Sequence, residues 1–227
     1  MLTVRSAALA AACVAALSSI TPAQAYELLG GLGGPTGYGE EFLAPNDDGF
    51  VGPLALPFTI NFFGQEFSRF YANNNGSISF RSGLSSYTPS PFPVSNQPML
   101  APYWADVDTR GAGIVNKLWY ASPNSNTLAV TWEEVGYFGA HTDKTNSFQL
   151  ILTKRDDVGG FDVEYRYQQL QWTTGDASGG AGGLGGTPAD EDAARALFQN
   201  LEPAAVAADG VATIEWLEGH MRSTGKV

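Results

Sequence analysis

Phe161-Asp162-Val163-Glu164-Tyr165-Arg166-Tyr167-Gln168 alternates apolar and polar side chains from end to end. Successive strand residues point to opposite faces, so a period of two marks a strand with one buried and one wet face. The same period recurs at 58–62, 77–80, 128–132 and 148–152. Between 57 and 170 no amphipathic pattern of helical length intervenes, which argues against a parallel sheet with helical crossovers. Turn punctuation separates the strand signals instead. Asn73-Asn74-Asn75-Gly76 is a strong hairpin signal, because Asn-Gly accepts positive φ at both central turn positions. Residues 83–98 hold four prolines and many serines, so they form a long surface loop rather than a central strand. The remaining strands are expected at 68–71, 99–107, 114–121, 126–138, 146–154 and 161–170, with 156–160 as a tight connection. The expected fold is all-β, an antiparallel β-sandwich with a short helical C-terminal tail.

The flanks divide the chain further. Residues 1–25 carry Arg5, an apolar run at 7–17 and Ala23-Gln24-Ala25, the anatomy of a secretory signal peptide cleaved before Tyr26. That run is too short to span a bilayer, and no later stretch is apolar enough to anchor in one. Cys13, the sole cysteine, lies inside it without the leucine that a lipoprotein box places three residues earlier. The mature chain therefore has no thiol for a disulfide, a thiolate metal site or a cysteine nucleophile. Residues 26–56 form a Gly/Pro-rich leader that includes Pro45-Asn46-Asp47-Asp48-Gly49, irregular but for one short strand at most. The β-domain is expected at 57–188. Its Gly-rich run at 175–186 lacks Gly-Lys-Ser/Thr and a βαβ context, so it reads as a loop and not a phosphate cradle. From Thr187-Pro188-Ala189-Asp190 the composition turns helical, with Ala194, Leu197, Phe198 and Leu201 at helical spacing and Pro203 as a stop. Residues 189–227 are thus expected to be an acidic, partly helical tail.

The net charge is −11, and −12 once Arg5 leaves with the signal segment. Such a surface repels nucleic acid and anionic lipid, and it suits an exported protein that meets divalent cations. Catalytic patterns are missing. His141 and His220 are the only histidines, and no GxSxG elbow accompanies them. Glu133 and Glu134, being adjacent on a strand, point to opposite faces and cannot act as a glycosidase pair. Glu134 falls in register with Leu128, Val130 and Trp132; either the strand has emerged there, or Glu134 is a buried acid whose partner is Arg81 or Arg110.

Asp106 and Asp108 lie two apart in Tyr103-Trp104-Ala105-Asp106-Val107-Asp108-Thr109-Arg110. On a strand both would project from one face together with Arg110. Two carboxylates so placed suit Ca²⁺, with Asp143 and backbone carbonyls as further donors. The simpler expectation is that Arg110 and loop amides neutralise them, since two acids alone fall short of an EF-hand signature. Among the aromatics Tyr103, Trp104, Trp119, Tyr120, Trp132, Tyr137 and Trp172, Trp104 and Trp132 are expected in the core. Trp119 and Trp172 are open between core packing and sugar stacking.

Phe62-Phe63-Gly64, the run from Tyr71 through Asn73-Asn74-Asn75-Gly76 to Phe80, Ala101-Pro102-Tyr103-Trp104-Ala105-Asp106-Val107-Asp108, Val130-Thr131-Trp132 and Asn146–Ser147-Phe148-Gln149-Leu150-Ile151-Leu152 together resemble the nidogen-like (NIDO) extracellular domain. Trp172-Thr173-Thr174-Gly175-Asp176 is similar to its C-terminal segment in bacterial secreted members. The resemblance implies an extracellular, non-enzymatic module associated with cell–matrix adhesion, with no catalytic residues to carry over. It also leads one to expect a strand-rich closing segment after Pro188, where this chain instead reads as helical. The functional expectation is a secreted module, extracellular or periplasmic, that binds an extracellular protein or glycan through loops 83–98 and 136–144. It needs no nucleic acid, no transmembrane segment and no cofactor beyond Ca²⁺ at Asp106 and Asp108. The alternative is a carbohydrate-binding or glycan-active sandwich that uses Asp106, Asp108 and exposed tryptophans.

Overall fold

The structure is a computed structural model that describes residues 27–90, 94, 96–155, 160–185 and 212–213. The signal segment and the helical stretch expected after Pro188 lie outside the described residues. In chain order the strands are β1 (Glu41–Leu43), β2 (Phe50–Phe62), β3 (Gln65–Asn73), β4 (Ser77–Ser79), β5 (Met99–Leu100), β6 (Val107–Asp108) and β7 (Lys117–Asn124). There follow β8 (Thr127–Tyr137), β9 (His141–Lys154), β10 (Phe161–Leu170), β11 (Gly180–Ala181), β12 (Leu184–Gly185) and β13 (Ala212–Thr213). One sheet runs β1-β7-β8-β9-β10-β13 with β6 also on β8, a second runs β2-β3-β4-β5, and β11-β12 is a small hairpin. Every pairing is antiparallel.

The alternation sets which faces meet. Phe161, Val163 and Tyr165 of β10 are buried while Asp162, Glu164 and Arg166 between them are half-exposed. Leu128, Val130 and Trp132 of β8 and Phe148, Leu150 and Leu152 of β9 continue that inner face. Ile60, Phe70, Ala72 and Ile78 of the second sheet complete one shared core, so the two sheets are layers of a sandwich. Trp132 stacks on Phe148 at 4.9 Å between ring centroids, and Phe62 reaches Phe161 across the layers at 6.4 Å. Each such side chain contributes about 1.5–3 kcal/mol on burial.

The first sheet is covered on its outer side as well. Gln149 points away from the core yet is fully buried, because its amide brackets the leader: Leu29 N–H donates to Gln149 Oε1 (2.8 Å) and Gln149 Nε2 donates to the Leu29 carbonyl (3.1 Å). Trp119, on the same outer face, is sealed edge-on by Phe42 of β1 and donates to Glu133 Oε2 at 2.7 Å. The leader is therefore part of the domain.

Three local expectations change. The strand expected at 99–107 is two short strands in different sheets, β5 and β6, because the chain crosses from one layer to the other in between. β2 starts at Phe50 and runs through Pro53 and Pro57, which an edge strand of the second sheet tolerates because an outward N–H has no ladder partner to lose. Two described residues of the expected helical tail, Ala212 and Thr213, are strand and pair with Tyr165 and Glu164 of β10.

Candidate functional site

At one end of the sandwich the β1–β2, β3–β4 and β5–β6 connections converge with the segment after Trp172. The Asn73–Gly76 turn holds them together. Its asparagines are not on the surface: Asn73, Asn74 and Asn75 are all buried. Asn74 Nδ2 donates to the carbonyls of Asp47 and Val107, and its own carbonyl accepts from the Trp132 indole at 3.0 Å. Asn75 Oδ1 accepts from Val107 N–H (2.9 Å) while its Nδ2 donates to Asp48 Oδ1 (2.8 Å). Gly76 has φ +77°, and a Cβ there would lie 1.7 Å from the Tyr103 carbonyl oxygen, so only glycine fits.

That turn fixes three carboxylates close together. Asn46 Oδ1 accepts from Gly49 N–H at 2.6 Å, a side-chain-closed turn that presents Asp47 and Asp48 inward from the leader. Asp47, Asp48 and Asp106 each offer a carboxylate oxygen, and these oxygens lie within 4.8 Å of one another. Asp106 is 1% exposed, and neither of its carboxylate oxygens has a hydrogen-bond partner; Asp47 Oδ1 is likewise buried without one. Gly175 makes room for Asp106, since a Cβ at that position would fall 2.4 Å from Asp106 Cβ and 2.6 Å from Oδ2. Burial, reinforced by the negative charges of Asp47, Asp48 and Asp108, pushes the Asp106 carboxyl up to about 7. Asp47 is pushed up by burial and by Asp108, against the pull of Arg110.

Asp108 turns elsewhere. Arg110 donates to it from its backbone N–H (2.9 Å), from Nε (2.9 Å) and from a terminal guanidinium nitrogen (2.6 Å), and Ala140 N–H adds a bond of 2.8 Å. Burial opposes ionisation of Asp108, but these hydrogen bonds outweigh it and hold its carboxyl below the usual range. The same guanidinium reaches Asp47 Oδ2 at 3.0 Å, leaving Oδ1 to the acidic group. The two acids read as one projecting pair thus part company: Asp106 joins Asp47 and Asp48, and Asp108 joins Arg110. Asp143, the further donor considered, accepts from Tyr137 OH and Lys144 instead.

The sequence alone did not single out Asp47 and Asp48. The signal was present in Asn46-Asp47-Asp48-Gly49, a turn pattern with two acids, but only the buried Asn turn brings it to Asp106. The other expected residues also find their places. Glu134 is exposed at φ +48° and accepts from Val115 N–H at 3.3 Å; neither Arg81 nor Arg110 partners it. Its left-handed conformation forms a β-bulge between Trp132 and Val135, so both of those face inward and Glu134 is extruded. Trp104, Trp119, Trp132 and Trp172 are all buried, which removes the stacking platforms of the carbohydrate alternative among the described residues. His141 opens β9 and stacks on Tyr137 at 4.9 Å. Within the Pro/Ser loop, Ser86 accepts from the Trp104 indole and Thr88 bonds Ser178, so this loop closes over the same end.

The fold is an antiparallel sandwich that carries an acidic cluster at its loop-bearing end. A family model described as NIDO related matches residues 33–217, and the chain belongs to that family. Alpha-tectorin of Mus musculus is 33% identical over 171 residues, covering 63% of this chain and 8% of that protein. The Gallus gallus alpha-tectorin is 35% identical over the same length. Nidogen of Drosophila melanogaster is 25% identical over 187 residues, covering 72% of this chain and 13% of its own length. The chain thus spans only a small part of the curated relatives it matches. No solved structure matches. The family match starts inside the leader and runs past Ala212–Thr213, in line with the pairing of β1 and β13 into the first sheet. No helix among the described residues is long and apolar enough to cross a membrane.

Proposed function

We propose that this chain is an exported, non-enzymatic adhesion module that meets an extracellular protein through the loop-bearing end of its sandwich. Membership in the NIDO-related family and similarity to nidogen and alpha-tectorin support the class. The signal-type residues 1–25 support export. The observation that carries the choice of surface is the convergence at this end of two exposed aromatics on otherwise firmly held loops. Phe138, 36% exposed, tips the β8–β9 hairpin, whose backbone donates to the Asp106 carbonyl (3.1 Å), and Tyr87, 40% exposed, sits between Ser86 and Thr88. Rigid aromatic tips on anchored loops are the side chains that dominate binding energy at protein interfaces. With the four described tryptophans buried, the described surface has less to offer a glycan.

The test is binding of the purified chain to immobilised matrix proteins and to cell surfaces, with and without competing free sugars. Sugar-insensitive binding that drops at least about tenfold in Phe138→Ser or Tyr87→Ser is expected. Binding abolished by free sugars, or unchanged in both variants, would overturn the assignment.

A further inference from the structure

We propose that Asp47, Asp48 and Asp106 form a binding site for a single calcium ion, which clamps the leader onto the crossover between the two sheets. The three residues come from distant parts of the chain and offer oxygens within 4.8 Å of one another. Two oxygens coordinated at about 2.4 Å to one ion lie at most about 4.8 Å apart, so the spacing permits a common centre. An acidic cluster alone would mean little. Here a second feature is independent of it: the Asp106 carboxylate is buried to 1% exposure and points into the cluster with both oxygens unpartnered, and Asp47 Oδ1 beside it is also buried and unpartnered. Buried acceptors without donors are costly, and each calls for a specific compensating partner.

The neighbouring groups show that this partner is not already supplied by protein. Arg110, the nearest cation, spends its guanidinium on Asp108 and on Asp47 Oδ2. Asn75 spends its amide on Asp48 Oδ1. The contacts to Asp47 and Asp48 each engage one carboxylate oxygen, and Asp106 has none. The bare backbone of Gly175 lets Asp106 sit in place. A donor set made only of carboxylate oxygens selects a hard cation, and the open side toward solvent at half-buried Asp47 and Asp48 leaves room for the waters that fill a calcium shell of six to eight. Magnesium, with shorter bonds of about 2.0–2.1 Å and a strict octahedron, would require the oxygens to contract. Coordination ties the leader to the β5–β6 crossover and thus to the Asn turn. This inference does not depend on the adhesion proposal, because its readout is the chain alone.

The experiment is thermal unfolding and titration calorimetry of the purified full chain, stripped with chelator and then titrated with CaCl₂ or MgCl₂. Calcium should bind at one site per chain and raise Tm by about 5–10 °C at a hundredfold excess over Kd. Asp106→Asn should lose the shift and the binding heat. Asp48→Asn, at a more accessible position, should weaken binding at least about tenfold, and it serves as the test if Asp106→Asn does not fold. Asp143→Asn, outside the cluster, should retain the full response. No calcium-dependent heat and no Tm shift in the parent chain would overturn the site. So would an undiminished response in Asp106→Asn or, failing that variant, in Asp48→Asn, and an equal response to magnesium would overturn its assignment to calcium.

Discussion

Asp106 gives up its hydration on folding and meets no donor, whereas Asp108, two residues on, collects hydrogen bonds from Arg110 and Ala140. Their carboxyls consequently shift in opposite directions. With chelator present, the unfolded Asp106 ionises near pH 4 while the folded one keeps its proton to about 7. Across that window the folded chain binds more protons than the unfolded, so Asp106 should make stability fall as pH rises from about 4 to about 7. Asp108 has the opposite sign: its stabilisation is present above its unfolded value and is lost as pH falls further. Urea midpoints measured in chelator between pH 4 and 8 should therefore decline toward 8, and Asp106→Asn should flatten the decline. An unchanged decline in that variant would place its origin elsewhere. Strand geometry would set both acids on one face with Arg110; only Val107–Asp108 is strand, at the change of layer, so Arg110 reaches Asp108 and not Asp106. Likewise Asn73-Asn74-Asn75-Gly76 was legible as a turn, but its burial depends on partners that no local pattern reveals.

The positions of β7, β8 and β10 fall near those expected, and in β10, which has one wet face, the alternation of residue types matches the alternation of burial. Strands bent by bulges or interrupted by proline are legible only in part. In β2 the strand signal is legible only from 58 onward, since Pro53 and Pro57 read as breakers unless the strand lies at an edge. In β8 the inner face was expected to continue from Trp132 to Glu134, but the bulge inserts a residue and hands that face to Val135. Glu134 holds a left-handed conformation that costs a non-glycine residue roughly 1–2 kcal/mol. Glu134→Gly should relieve it, against which stand only the loss of a long 3.3 Å bond to Val115 and the added freedom of the unfolded chain. The expected outcome is unfolding free energy equal to or up to ~1 kcal/mol above the parent. Deleting residue 134 should return β8 to regular alternation, with Trp132 inward, Glu133 outward and Val135 still inward, so a cooperative transition is expected to survive and its loss would show that the bulge itself is required.

At the scale of the molecule, the all-β class is legible from periodicity, while the pairing of the leader into the first sheet is not. The leader looked separate because glycine and proline hide its role, which is to roof one sheet through backbone groups and few side chains. Gln149 is the join: it bonds both polar backbone groups of Leu29 and, at 2.8 Å, Thr131 Oγ1. Gln149→Ala leaves those groups sheltered and unpaired, at a cost of about 1–3 kcal/mol. Lower urea midpoints and faster proteolysis within residues 27–40 should follow, and a variant as resistant as the parent would show that the roof holds by other means.

Trp132 lies face to face with Phe148 and donates its indole proton to the Asn74 carbonyl, within the turn that also grips the leader and the crossover. Its emission should therefore be blue and shielded from iodide in the native chain. Any event that loosens the far loops while leaving the two sheets intact would be visible from the centre, as a change in colour and quenching, without a label being attached.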